Sequence, residues 1–225
     1  MMNVNDKEKL EQVGPAFTEA DILLVREKTF AIIQQIIEQC HPGMLEEDAV
    51  EMAQDILAEH KMLRGWHDVY VRFGKNTTKT YGMDSDPGVV LGENDIMFVD
   101  IGPVFEKWEG DGGDSFVFGS DPEMHRCAAD ARKLFHSVRD KWERDQCSGQ
   151  ELYNFAEKEA ESLGWVLNLD WSGHRIADFP HAVIYNGLMS DIEFCPSSML
   201  WVLEIHIKHP TKPYGAFFED LLIPK

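Results

Sequence analysis

The chain has 225 residues, of which 44% are hydrophobic and 27% charged, a balance typical of a globular protein. Its net charge of −19, from 21 basic and 40 acidic residues, argues against nucleic acid and anionic membranes as partners, because both require a basic surface. The sequence shows no signal peptide or transmembrane span, and its four cysteines form no CxxC pair, so we expect reduced thiols in a cytoplasmic protein.

The first predicted element follows a polar segment. Residues 1–14 are expected to form a flexible N-terminal tail, and a single domain is expected over residues 15–225. Thr18 provides a capping hydroxyl for a first helix, which Pro42 helps to end. A second helix is predicted over residues 46–60, where apolar residues recur with helical spacing.

The same order of elements occurs twice: a helical hairpin, a Gly-Trp pair and a short strand. After the first hairpin, Gly65-Trp66 precedes a predicted strand over residues 69–73. The second set comprises helices over residues 122–144 and 151–163, the pair Gly164-Trp165 and a strand over residues 166–169. Helical hairpins are common, so coincidence is the alternative, but the repeated Gly-Trp pair favours two related halves.

Four carboxylates and one histidine lie in apolar or glycine-rich stretches, where burying an isolated charge would be costly. They are Asp100, Asp111, His174, Glu204 and Glu219. Taken singly, Asp100 could be a cap or turn residue, Asp111 a hairpin turn residue and His174 an ordinary loop histidine. Taken together, these donors suit divalent cations, and two ions about 3.5–4 Å apart can share one activated water. The set therefore predicts a hydrolytic metal site.

Strand alternation predicts which of these side chains share a face. In the predicted strand over residues 200–207, Glu204 and His206 project the same way. We expect His206 either to support a metal ligand or substrate, or to be a ligand itself. The aromatic residues are expected mainly in the core. The remaining histidines carry no motif and are expected in surface or packing positions: His60, His67, His125, His136 and His209.

The order and spacing of the five candidates resemble the pita-bread metallopeptidases: methionine aminopeptidase, aminopeptidase P, prolidase and creatinase. Asp100 and Asp111 are eleven residues apart, and His174 follows a glycine, as in the family. His181 stands seven residues after His174, like the family's substrate-binding histidine. Two late glutamates complete the pattern: Glu204 and Glu219. The resemblance covers residues 17–224, so it implies the catalytic domain alone.

The resemblance implies an α/β pita-bread fold, with two related halves around a curved, largely antiparallel sheet. It also implies a dimetal hydrolase, an aminopeptidase or Xaa-Pro-type dipeptidase using a metal-bridging hydroxide and two Mn, Fe, Co or Zn ions. Asp111 and Glu219 would bridge the ions, Asp100 would chelate one, and His174 and Glu204 would hold the other. Glu204 would also carry a proton. A small peptide or small molecule is the expected substrate, and a homodimer is left open.

Several positions depart from the family pattern. The family has a histidine about seventeen or eighteen residues before its first aspartate, where this chain has Tyr81 or Met83, so Tyr81 joins His181 as a catalytic candidate. Gly113 replaces a usual Thr or Ser, and Arg175 replaces a small residue. Arg175 is expected to be a salt-bridge partner or a clamp for a substrate carboxylate. These departures keep two alternatives open: a non-peptidase C–N hydrolase or lyase, and an inactive binding module.

Overall fold

The computed structural model describes residues 4–62 and 65–225, with five α-helices in these ranges. The helices are α1 (Val4–Leu10), α2 (Glu19–Gln39), α3 (Glu46–Glu59), α4 (Pro122–Asp145) and α5 (Gly149–Leu163). Thr18 caps α2 through its side chain, as predicted, and Ser148 forms a reciprocal capping box with Glu151 at the start of α5. No helix in the described ranges is both long enough and apolar enough to cross a bilayer.

Within the described ranges, nine strands form one large sheet and one small hairpin. They are β1 (Tyr70–Phe73), β2 (Asp95–Ile101), β3 (Val104–Phe105), β4 (Trp108–Glu109), β5 (Gly112–Phe118), β6 (Val166–Leu167), β7 (His174–Arg175), β8 (Trp201–Lys208) and β9 (Gly215–Leu221). The large sheet has the order β1-β2-β5-β9-β8-β6, with β7 also paired to β8, and the small sheet is β3-β4. Every one of these pairings is antiparallel, which confirms the predicted kind of sheet.

The predicted two halves are present in the described chain. In each half a helical hairpin is followed by a strand at one edge of the sheet: α2, α3 and β1 in the first, α4, α5 and β6 in the second. Each hairpin has its own core, with Ile33, Ala53 and Val99 buried in the first and Phe135 and Leu203 in the second. The halves meet where β5 pairs with β9.

The sheet face opposite the two helical hairpins carries a polar row. The strand register places Asp100 of β2 opposite Gly113 of β5, Gly113 opposite Glu219 of β9, and Glu219 opposite Glu204 of β8. Side chains alternate between the faces of a strand, so the neighbours of Asp100 and Glu204 face the helices and are apolar, whereas Asp220, beside Glu219, pairs with Arg26 of α2. Tyr70 of β1 ends the row beside Asp100. The fold therefore brings together acidic residues that are more than a hundred positions apart in sequence.

The N-terminal segment contains a helix that packs on the second half. Lys7 Nζ donates to the carbonyl of Cys195 at 2.7 Å, and Glu11 accepts from Trp201 Nε1 at 2.7 Å. Residues 1–3 lie outside the described part of the chain. The flexibility expected for residues 1–14 stays a prediction.

Candidate metal centre

All five predicted ligands converge beside the seam between the halves. Asp100 lies near the end of β2, Asp111 just before β5, His174 on β7, Glu204 on β8 and Glu219 on β9. Asp100 is 8% exposed and the other four are each 3% exposed. They line one small cavity of about 10 Å³. Four carboxylates in a buried space of this size require protons, cations or both.

Asp111 is at the centre of the cluster. His174 Nε2 lies 2.7 Å from Asp111 Oδ2, and the backbone N–H of Gly112 donates to Asp111 Oδ1 at 3.1 Å. The other ring nitrogen of His174, Nδ1, lies 2.7 Å from the carbonyl of Arg175. A carbonyl only accepts, so Nδ1 carries the proton and Nε2 presents its lone pair to the cluster when the ring is neutral. This orientation is the one that a metal-binding histidine requires.

Three oxygens of the cluster lack hydrogen-bond partners. Among the described residues, Asp111 Oδ2, Glu204 Oε2 and Glu219 Oε1 have no hydrogen-bond partner, and all three atoms are fully buried. Buried polar atoms are normally satisfied, so unpaired carboxylate oxygens indicate a missing cation or proton. Asp111, His174 and Glu219 also each offer a ligand atom within 4.8 Å of the others. These residues therefore fit a divalent cation.

Burial and mutual repulsion control the protonation of the carboxylates. Burial, assisted by the charges of Asp100 and Asp111, raises the pKa of Glu204 well above its usual value, and the pKa of Glu219 rises for the same reasons. Burial also raises the pKa of Asp100, to about 6. Burial would raise the pKa of Asp111 too, but hydrogen bonds from two histidines outweigh it and lower that pKa to about 2. The cation-free cluster consequently retains protons that a metal ion would displace.

His181, the predicted substrate-binding histidine, lies at the edge of the centre. Its ring stacks on that of His174, with centroids 5.3 Å apart and planes 26° from parallel. Its Nδ1 contacts Glu109 Oε2 at 2.9 Å, and the backbone N–H groups of Ala177 and His181 also donate to Glu109. Glu109 thus contacts one ring nitrogen and two backbone N–H groups, which orients the imidazole. Sequence reasoning did not identify Glu109, although it lies only two residues before Asp111.

Aromatic side chains form a wall of the cavity. Tyr81, a predicted catalytic candidate, stacks on Trp171 with centroids 4.4 Å apart and lies 6.4 Å from the ring of Trp66. All three line the cavity with the five candidate ligands. The aromatic residues are predicted mainly in the core, so the sequence does not identify Trp66 and Trp171 as residues of the site. Burial and the charge of Asp68 raise the pKa of Tyr81, which keeps the phenol protonated and able to donate near neutral pH.

His67 is a second residue that sequence reasoning misplaced. Its side chain is only 2% exposed, and its Nε2 lies 3.3 Å from Asp111 Oδ1 and 3.5 Å from Asp100 Oδ1. The prediction of a surface or packing role is therefore wrong. The loop before β1 reaches the centre because β1 pairs with β2 and sets Tyr70 opposite Asp100. The available signal was the position of His67, directly after the repeated Gly-Trp pair.

Two other predicted site residues make different contacts. Arg175 alternates with His174 on β7, and its terminal nitrogens donate to the carbonyls of Leu200 and Gln12 at 2.6 and 2.9 Å. It is 1% exposed and these contacts go to backbone carbonyls, so its predicted role as a salt-bridge partner or a substrate clamp stays a prediction. His206 has both ring nitrogens engaged, since Nε2 donates to the carbonyl of Thr77 at 2.7 Å and Nδ1 accepts from Asn168 at 3.2 Å. Burial lowers its pKa to about 3, so it is neutral, and its predicted role beside the metal or the substrate stays a prediction.

The fold of the chain is similar to the folds of three solved peptidase structures. The prolidase from Pyrococcus furiosus aligns with a TM-score of 0.74 and 16% identity over 100% of this chain and 66% of its own. A histidine-to-alanine variant of Escherichia coli aminopeptidase P gives 0.75 and 13% identity over 96% and 55%. The Xaa-Pro dipeptidase from Bacillus anthracis gives 0.71 and 16% over 96% and 61%. The chain thus spans about three-fifths of the length of these proteins, and at such identities the likeness shows the pita-bread fold alone.

The sequence itself carries the family assignment. No curated protein shows significant sequence similarity to the chain. The model of metallopeptidase family M24, however, matches residues 23–223, nearly the whole chain and all five candidate ligands. The chain therefore belongs to metallopeptidase family M24.

Proposed function

We propose that the protein is a dimetal-dependent hydrolase of short peptides, an aminopeptidase or Xaa-Pro-type dipeptidase acting in the cytoplasm. The observation that carries the proposal is the convergence of five buried donors, three of which, Asp111, Glu204 and Glu219, have an unpaired oxygen. Membership of family M24 supports it, as does the fold shared with proteins described as prolidases and an aminopeptidase P. An inactive binding module is disfavoured because the donor set is complete.

Each donor has a place in a two-ion centre. Asp111 and Glu219 would bridge the ions, Asp100 would hold one, and His174 and Glu204 would hold the other. Carboxylate and imidazole ligands of this kind suit Mn, Fe, Co or Zn. When bound, such ions lower the pKa of water and stabilise the oxyanion that forms on a scissile carbonyl.

The chain's own groups would bind and orient the substrate. Glu204 Oε2 is free to accept and return a proton because no protein donor in the described chain occupies it. His181, held through Nδ1 by Glu109, has Nε2 left for the substrate. Tyr81 would donate its phenolic proton to the substrate amide or leaving group. Trp66 and Trp171 would limit the access of water to these groups.

A small non-peptide C–N substrate is the second candidate. The cavity, at about 10 Å³, is far smaller than the roughly 300–1,000 Å³ of typical ligand pockets. Tyr81 also replaces the histidine that handles the scissile amide in the resembling peptidases. A general acid–base group contributes about 10²–10⁴-fold, so cleavage of ordinary peptides should be weak if the phenol is a poor substitute.

The experiment compares substrates after metal analysis. The protein is loaded separately with Mn, Co, Fe or Zn, and its metal content is measured before kcat/KM is determined on a panel of dipeptides, Xaa-Pro peptides and small amides. Tyr81→His should improve peptide cleavage and Tyr81→Phe should reduce it, whereas His125→Gln, at an exposed position, should match the wild type. A protein that binds no metal under any loading would refute the proposal. Strong amide turnover with negligible peptide turnover would select the second candidate.

A further inference from the structure

The imidazole of His67 faces two carboxylates of the candidate metal centre. Its Nε2 lies 3.3 Å from Asp111 Oδ1 and 3.5 Å from Asp100 Oδ1. We infer that His67 is a sixth protein ligand, which binds the ion held by Asp100 and Asp111. This inference rests on the metal centre proposed above and does not depend on the identity of the substrate.

The hydrogen bond at the far side of the ring fixes its orientation. His67 Nδ1 lies 2.6 Å from the carbonyl of Asp68, which can only accept, so Nδ1 carries the proton. In the neutral ring, Nε2 then directs a lone pair at two carboxylate oxygens, an arrangement that is repulsive without a cation between them. His174 has the same pattern: Nδ1 meets the carbonyl of the next residue and Nε2 faces Asp111. Asp111 therefore lies between two imidazoles, each of which has Nδ1 on a backbone carbonyl and Nε2 directed at Asp111.

The distances match a shared coordination sphere better than direct hydrogen bonds. A hydrogen bond between a charged ring N–H and a carboxylate is normally about 2.7–2.9 Å long, shorter than either His67 contact. Ligand atoms about 2.1 Å from a tetrahedral ion lie about 3.4 Å from one another. The two His67 contacts bracket that value. His67, Asp100 and Asp111 also offer ligand atoms that all lie within 4.8 Å of each other.

The surrounding packing holds the ring in this place. A Cβ at Gly102 would lie 2.2 Å from His67 Cδ2 and 2.3 Å from Nε2, so only glycine leaves room for the imidazole. The indole of Trp66 contacts the ring edge-on, with centroids 4.4 Å apart. Imidazole ligands suit Zn and Fe, whereas all-oxygen ligand sets suit Mn and Mg. The ion held by His67 should therefore be one that prefers nitrogen ligands.

The competing arrangement is an imidazolium in place of an ion. A protonated His67 would itself neutralise Asp100 and Asp111, and the centre would then hold one ion, bound by His174, Glu204 and Glu219. The two arrangements differ in the number of ions and of metal-bound imidazoles. Both quantities can be measured without an activity assay.

The first test is equilibrium binding of Co(II) and Zn(II) to the full chain. The wild type should bind two ions, and His67→Gln should weaken one of them by at least about tenfold, since even residues that only support metal ligands change affinity about 10–100-fold. His60→Gln is the matched control, because His60 is exposed and contacts only Gln35 among the described residues. His174→Gln should weaken the other ion. Circular dichroism and urea unfolding would establish that each variant folds.

The second test first counts the metal-bound imidazoles of the wild type, and that count does not depend on a folded variant. Proton NMR of the Co(II)-loaded protein should show two exchangeable, hyperfine-shifted imidazole N–H signals, from His67 and His174, and His67→Gln should lose one. Two bound ions with a single imidazole signal, or binding by His67→Gln equal to that of His60→Gln, would overturn the inference but leave the proposed function standing. A single bound ion in the wild type would favour the imidazolium. A wild type without metal would overturn both proposals.

Discussion

Gly113 offers a direct test of how tightly the centre is packed. It lies in the polar row between Asp100 and Glu219, and a Cβ placed there would lie 2.3 Å from Phe217 Cε1 and 3.1 Å from Glu219 Oε1. The Phe217 ring cannot easily retreat, since it is 4% exposed and its centroid lies 5.1 Å from that of Phe98 on β2. Carbon atoms pack at about 3.5–4.0 Å, so the ring would have to move by about 1 Å. We therefore expect Gly113→Ala to destabilise the metal-free protein.

The magnitude follows from two opposing terms. Overpacking a buried site costs about 1–3 kcal/mol, whereas replacing glycine by alanine recovers about 0.4–1 kcal/mol by restricting the unfolded chain. The net loss should be about 1–2 kcal/mol in the free energy of unfolding. For a chain of this length each kcal/mol shifts Tm by about 2–4 °C, so a fall of about 2–8 °C is expected. Urea unfolding and thermal melting in EDTA measure the two quantities.

A double-variant cycle identifies the cause. Phe217→Ala alone should cost about 3–5 kcal/mol, because it leaves a cavity beside Gly113. Adding Gly113→Ala should then cost nothing or stabilise, since the new methyl group enters that cavity, and the double variant should be more stable than the sum of the single effects by about 1–3 kcal/mol. Effects that add within about 0.5 kcal/mol would refute the steric explanation, as would a Gly113→Ala variant more stable than the wild type.

Three further predictions concern the metal and its neighbours. Saturating metal should raise Tm by about 5–10 °C over EDTA, because an ion at 100 times its Kd stabilises the native state by about 2.7 kcal/mol; an unchanged Tm with metal shown bound by elemental analysis would contradict this. The metal-free protein should lose stability from about pH 7 to pH 9. Folding raises the pKa of His67 from 6.5 to about 9 and the pKa values of Glu204 and Glu219 well above 4.5. In this pH range the folded state therefore binds protons that the unfolded chain has released. Melting curves in EDTA across this range test the sign, and a rising Tm would reverse it. Glu109→Gln should lower kcat/KM about 10–100-fold with metal content unchanged, because it weakens the orientation of His181; lost metal would instead indicate a structural effect.

The fold and the convergence of the five candidate ligands could be predicted from sequence because they depend on local signals. Helical periodicity and the caps at Thr18 and Ser148 define the helices, and strand alternation places Glu204 on the polar face of β8. The spacing of Asp100 and Asp111 then links these elements to a known pattern. Each of these signals lies within a few residues of the feature it predicts, or within a motif of fixed spacing.

The remaining site residues depend on contacts that no local pattern encodes. His67 reaches the centre only because β1 pairs with β2 in a particular register, and Trp171 lines the cavity through a loop without regular structure. Glu109 carries no motif in the sequence, and its role follows only from the contact of its carboxylate with His181. Arg175 shows the converse, because it lies one residue from His174 in sequence but strand alternation turns its side chain to the other face. Proximity in sequence to a ligand is therefore a poor guide to membership of the site.

The position of the centre relative to the two halves gives it a structural as well as a chemical role. His67, Asp100 and Asp111 come from the first half, whereas His174, Glu204 and Glu219 come from the second, and the halves join where β5 meets β9 at Gly113 and Glu219. Without cations the acidic row places repelling carboxylates along both sides of this seam, which opposes its closure. Ions that bind residues from both sides replace that repulsion with attraction across the seam. The four carboxylates that make the metal-free protein less stable would thus join the two halves into one rigid unit when metal is bound. A rigid unit would hold His181 and Tyr81 at fixed distances from a substrate.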